Sequence, residues 1–179
     1  MRKSCIPNVF TFINLSCGIL SILSVINENY TLASIFILLA GLVDRYDGRV
    51  ARFLNVSSDL GKELDSLADL VSFGVAPSIL IYMLFNLKEP GFLSIIGLCI
   101  LLVFPICGAY RLARFNTAEF DGVFTGIPIT IVGCFMAFFA LMLILCKADL
   151  NSNLLTYITI LLMIIGSYLM VSKIHLKKV

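Results

Sequence analysis

The sequence predicts an all-α integral membrane protein, a six-transmembrane-helix bundle with both termini cytoplasmic. Three observations carry that reading. Of 179 residues, 60% are hydrophobic and only 13% charged, and the mean hydropathy is +1.03, far above the level of an ordinary soluble domain. The apolar residues fall into six segments, most of them close to the length of about 20 residues that a membrane helix needs. The Lys and Arg residues then divide very unevenly between the two faces which those segments define.

The first segment, Val9–Ile26, follows Met1-Arg2-Lys3 and superficially resembles a secretory signal. Pro7, Asn8, Thr11 and Asn14 interrupt the apolar stretch such a signal needs, and no convincing small-residue cleavage pattern follows, so the segment is read as a span. After Asn27-Glu28-Asn29, the second segment, Tyr30–Val43, runs on into a charged stretch. The third is Leu64–Leu87, the fourth Phe92–Tyr110, the fifth Val123–Cys146 and the sixth Leu154–Val171. Between them lie polar breaks from Asn86 to Gly91, Arg111 to Gly122 and Lys147 to Asn153. Such short connections favour an antiparallel up-and-down bundle. The long apolar runs lack the alternation of a β-barrel wall. No internal repeat or second domain is evident, so residues 1–179 are expected to form a single transmembrane domain.

Six spans put both termini on one side. That side collects Arg2, Lys3, Arg45, Arg49, Arg52, Lys62, Arg111, Arg114, Lys173, Lys177 and Lys178, leaving only Lys88 and Lys147 for the other. By the positive-inside rule the richer side is the cytoplasm. The protein is therefore expected in the cytoplasmic membrane, and its net charge of only +2 suggests no nucleic-acid partner.

Cys5, Cys17, Cys99, Cys107, Cys134 and Cys146 contain no C-x-x-C pair and lie mostly inside apolar spans, so they read as small buried hydrophobes rather than a disulfide framework. His175, the only histidine, sits among Lys173, Lys177 and Lys178, and no nucleophilic constellation can be built around it.

Residues 44–69, DRYDGRVARFLNVSSDLGKELDSLAD, carry the chemistry. They place Asp44, Asp47, Asp65 and Asp69 at the edge of membrane segments, where ionised side chains are expensive and mark a functional site by default. At about 100° per residue, Asp44, Asp47, Gly48, Ala51 and Arg52 fall within an arc of about 140°, and Gly61, Asp65 and Asp69 within about 80°. If the two helices face each other across a reversal near Asn55–Asp59, the four carboxylates converge. Gly48, Ala51 and Gly61 would then let a bulky ligand or the opposing backbone come close. Four acidic groups in one pocket need a counter-charge. Divalent metal is the economical one, and oxygen-only ligands suit Mg²⁺ or Mn²⁺, with a carboxylate bridge between two ions suited to phosphoryl transfer. Arg52 adds a phosphate-binding fork. The plainer alternative is a set of helix-end charges paired with Arg45, Arg49 and Lys62.

The spacing Asp44-x2-Asp47-Gly48-x2-Ala51-Arg52-x8-Gly61-x3-Asp65-x3-Asp69 resembles the full signature of the CDP-alcohol phosphatidyltransferases. Nearly the whole chain is similar to the branch of that family that transfers phosphatidyl groups to serine. The similarity includes Pro7-Asn8-x2-Thr11-x2-Asn14-x3-Gly18, Ser66-Leu67-Ala68-Asp69-x-Val71-Ser72-Phe73-Gly74, Arg111-x2-Arg114-Phe115-Asn116 and Gly126-x-Pro128.

The resemblance implies a six-helix enzyme, usually a homodimer in the lipid bilayer, that moves a phosphatidyl group from a CDP-linked lipid to an alcohol and releases CMP. It implies that Asp44 and Asp65 bridge two metal ions, that Asp47 completes one site and Asp69 the other, and that Asp69 takes the proton of the attacking hydroxyl. Gly48, Arg52 and Ser58 would touch the CDP moiety, beside the small residues Ala51 and Gly61, with Asn8 and Thr11 near the cytidine. With L-serine as acceptor, Arg111 and Arg114 are candidates for its carboxylate, which a guanidinium grips in two places; the alternative for each is a positive-inside anchor. Other acceptors, such as glycerol 3-phosphate, inositol phosphate or another polyol, would keep the same chemistry. A small transporter using the carboxylates for a moving ion is the reading from another class, and the one-sided placement of all four argues against it.

Overall fold

The computed structural model describes residues 5–54, 59–87, 92–117, 124–150, 152–172 and 175–176, with side chains omitted at some of these. The chain is helical. In order come α1 (Cys5–Ile26), α2 (Tyr30–Leu54), α3 (Asp59–Asp69), a π-helical segment (Leu70–Val75), α4 (Ala76–Leu84), α5 (Phe92–Thr117), α6 (Ile129–Leu145) and α7 (Asn153–Val171). Two-residue strands, β1 (Phe124–Thr125) and β2 (His175–Leu176), pair antiparallel and set Thr125 opposite His175.

Among the described residues, four stretches are long and apolar enough to cross a membrane: Asn8–Ile26, Leu60–Leu84, Ser94–Thr117 and Asn153–Val171, with α6 a shorter apolar helix. Leu60–Leu84 joins α3, the π segment and α4 into one rod at the centre, more deeply buried than the other three. Its own Phe73 and Leu80 are fully buried, as are Phe104, Ile129, Met136, Met163 and Met170 of the other helices. Outward faces carry Leu20, Leu23, Leu102, Ile106, Phe135, Phe138, Leu161 and Ile164, all exposed. In water such a surface would aggregate; in a bilayer it meets acyl chains. The chain is thus a multi-pass membrane protein.

Helix ends follow local chemistry. Beyond α1, α4 and α6, the residues Glu28, Asn86 and Lys147 take φ values of 58°, 48° and 51°. The next residue donates five positions back in each case: Asn29 N to Ser24 O, Leu87 N to Tyr82 O, Ala148 N to Leu143 O. This is the Schellman arrangement, built without glycine.

Three boundaries differ from expectation. Val123, the expected start of the fifth segment, lies outside the described residues; Gly126 at φ +80° and Pro128 at φ −56°, ψ 137° form a non-helical turn, so α6 starts at Ile129. The break expected at Arg111 is absent because α5 continues to Thr117, carrying both arginines on helix. The third segment begins earlier than Leu64, at Asp59. Of the cysteines, Cys99 and Cys146 are exposed rather than buried.

Close backbone approach holds the rod against α6. A Cβ on Gly133 would stand 2.5 Å from the Phe73 carbonyl oxygen and 2.7 Å from its Cα, so only glycine lets α6 lie on the π segment.

Candidate functional site

Asp65 and Asp69 stand four residues apart on α3 and therefore on one face. That face meets the α2 turn carrying Asp44. Each of the three offers a carboxylate oxygen, and these oxygens all lie within 4.8 Å of one another. Asp44 and Asp65 are half-buried, while Asp69 is buried. Carboxylates this close repel unless a cation or a proton stands between them. Because the group is oxygen-only, it fits a hard divalent ion.

Two further helices reach Asp69. From α1, the fully buried Asn14 donates its Nδ2–H to Asp69 Oδ1 at 3.0 Å. Asn14 is itself held in register by Ser72 of the π segment, whose hydroxyl donates to the Asn14 carbonyl oxygen at 2.9 Å. From α5, the buried Arg111 brings its charge within interaction range of Asp69, and its guanidinium carbon lies 5.5 Å from the Phe115 ring centre. Cys134 of α6 lies near Asp44 and Asp69 on the remaining side.

Two buried side-chain atoms have no hydrogen-bond partner among the described residues, Asn14 Oδ1 and Arg111 Nε. Leaving such an atom unsatisfied costs about 1–3 kcal/mol. Both belong to side chains that address Asp69.

Arg114, three residues on, has a different occupation. Its NH1 donates to Val171 O at 3.0 Å and its NH2 to Ser172 O at 3.4 Å, satisfying carbonyls at the end of α7 where a helix leaves them without partners. Asn116 ties the end of α5 to α3, donating to Ser66 Oγ at 3.0 Å and Glu63 Oε1 at 3.2 Å. The two arginines of one motif are thus divided between the acidic cluster and the C-terminal helix.

Of the residues singled out from sequence, Asp44, Asp65 and Asp69 come together, with Arg111 alongside. Thr11 is buried and Asn8 half-buried on α1, three and six residues before Asn14. Gly61 is partly exposed on the first turn of α3. Asp47, Gly48, Ala51 and Arg52 continue α2, whose helix runs to Leu54, but their side chains lie outside the described residues, and Ser58 lies outside them altogether. The contact that the sequence did not assign is Asn14 to Asp69. Its signal was a polar face, Thr11 and Asn14 at helical spacing within an apolar segment.

A family model described as CDP-alcohol phosphatidyltransferase matches residues 4–174. The chain is 41% identical to a protein of Bacillus subtilis named CDP-diacylglycerol–serine O-phosphatidyltransferase, over 97% of this chain and 92% of that protein. Proteins of the same name from Helicobacter pylori strain J99 and Saccharomyces cerevisiae are 39% and 43% identical, over 69% and 65% of this chain. The aligned part spans only 52% and 42% of those two longer relatives.

Proposed function

Because the chain belongs to the CDP-alcohol phosphatidyltransferase family, we propose that it transfers the phosphatidyl group of a CDP-linked lipid to the hydroxyl of L-serine and releases CMP. The similarity to the Bacillus subtilis protein over nearly the whole of both chains carries the choice of serine. The convergent oxygens of Asp44, Asp65 and Asp69 support the reaction class.

In this reading Asp44, Asp47, Asp65 and Asp69 would hold two divalent ions, Mg²⁺ or Mn²⁺, with Asp44 and Asp65 serving both, Asp47 one and Asp69 the other. Bound there, the ions supply charge neutralisation for the donor pyrophosphate and polarise the phosphorus under attack. Asn8, Thr11, Gly48, Arg52 and Ser58 hold the CDP moiety, and the small Ala51 and Gly61 leave it room. Asp69 takes the proton of the serine hydroxyl as the new oxygen–phosphorus bond forms and the bond to CMP breaks. Its orientation is set by the Asn14 amide, which occupies Oδ1 and leaves Oδ2 to face the reaction. Arg111 meets the serine carboxylate, while Arg114, engaged with the last carbonyls of α7, keeps the end of that helix in place.

The test is to supply purified protein with a CDP-lipid, a divalent metal and a panel of alcohols and measure CMP release. Serine should be the preferred acceptor; glycerol 3-phosphate used equally well would overturn the serine reading and leave the reaction class standing. Within the same assay, Arg111→Ala should raise the KM for serine by roughly ten- to a hundredfold, the scale of a charge-assisted bidentate contact, and leave the KM for CDP-lipid nearly unchanged. An unchanged serine KM would remove Arg111 from the acceptor site.

The chain crosses the membrane six times, as a homodimer, with termini and carboxylates on the cytoplasmic side; the uneven Lys and Arg distribution supports this orientation. In a variant whose native cysteines are replaced, a membrane-impermeant thiol reagent should label a cysteine placed at the exposed Asn27 from outside intact cells. One placed at the exposed Thr117 should label only after lysis. The reverse pattern would invert the orientation.

A further inference from the structure

We propose that Asn14 Oδ1 accepts a hydrogen bond from the α-ammonium group of the acceptor, so that Asn14 and Arg111 together read the two charges of an amino acid on either side of Asp69. The inference rests on the serine reading above and adds the element that recognises its nitrogen.

The orientation of the Asn14 amide is dictated by its neighbour. A carboxylate oxygen can only accept when ionised, so the side of the amide facing Asp69 Oδ1 at 3.0 Å is the NH₂ side. The carbonyl oxygen therefore points away from that bond, and it is fully buried without a donor among the described residues. Arg111 presents the opposite deficiency, a buried Nε–H with no acceptor. The two atoms are complementary to different halves of one zwitterion: a carbonyl oxygen for an ammonium, a guanidinium N–H for a carboxylate. Both side chains address Asp69, the group that would face the hydroxyl. An L-amino acid carrying a β-hydroxyl has its three groups on adjacent carbons, and this trio of side chains supplies one partner for each.

A substrate-and-variant cycle tests it. 3-Hydroxypropionate is serine without the ammonium, and ethanolamine is serine without the carboxylate. With the parent protein, kcat/KM by CMP release should favour L-serine over 3-hydroxypropionate by at least about tenfold. In Asn14→Ala that preference should collapse toward unity, whatever the absolute rate, while the preference for serine over ethanolamine persists. Asn14→Asp keeps an oxygen in the place of Oδ1 and nearly the same shape, and should retain the preference for serine over 3-hydroxypropionate even as kcat falls from the lost donor to Asp69.

A merely structural Asn14 would lower all three acceptors by one factor and leave the ratios unmoved, which would overturn the proposal. So would a parent protein that used 3-hydroxypropionate as well as serine. Should Asn14→Ala fail to fold, Asn14→Leu, which fills the same volume without an oxygen, decides: a preference for serine over 3-hydroxypropionate that persists there refutes the assignment, and its collapse toward unity sustains it. A parent that releases no CMP with serine but does with another alcohol refutes the serine reading itself, an outcome distinct from all of these.

Discussion

Asp69→Asn is expected to lower turnover by at least about a hundredfold, the scale of a lost general base and equivalent to roughly 2.7 kcal/mol of barrier. The substitution removes the proton acceptor and weakens one ligand of the cluster at once. It spares the fold, because the new amide can still accept the Asn14 Nδ2–H through its remaining oxygen, and the buried volume hardly changes. CMP release should therefore collapse while thermal unfolding in detergent moves little and CDP-lipid binding survives in part. A variant turning over at the parent rate would show that the proton goes elsewhere.

Chelation should have an effect at least as large. Three carboxylate oxygens within 4.8 Å of one another repel in the ionised form, and divalent ions held between them offset that repulsion. EDTA should reduce CMP release to background, and added Mg²⁺ or Mn²⁺ should restore it. Full turnover in metal-free buffer would contradict the assignment of these residues as ligands.

What could be read from the sequence depended on the range of the interaction. Asp65 and Asp69 share a face by spacing alone, whereas their meeting with Asp44 was conditional on a chain reversal that spacing does not impose. Asn14 was visible only as a polar residue in an apolar segment, since its partner lies 55 residues away and no local rule links them. The arginines show the same limit. Spacing puts Arg111 and Arg114 on neighbouring parts of α5, but which of them turns to the carboxylates is decided by where α7 ends, because its last carbonyls capture Arg114.

Segment boundaries failed where polarity and helicity part company. Arg111 to Thr117 is polar and still helical because α3 and α7 supply partners for it. Phe124 to Pro128 is largely apolar yet not helical, because Gly126 and Pro128 impose the turn.

The π segment was invisible in advance, its Leu70-Val71-Ser72-Phe73-Gly74-Val75 reading like any buried helix. A π turn closes its ladder five residues on instead of four and so accommodates one residue more than the α-helix around it. The central rod therefore consists of two windings with separate phases. One, before Leu70, aims Asp65 and Asp69 at Asp44; the other, after Val75, turns Ala76, Leu80 and Leu84 into the core. Each residue of an α-helix advances the chain by about 100°. Winding these same residues as an unbroken α-ladder would swing one pattern relative to the other by about that angle, whereas deleting a single residue from the wide turn would restore the α-ladder and leave both faces aimed nearly as they are. The aim of the carboxylates is held as an angular offset within one rod, a quantity that neither composition nor the signature spacing records.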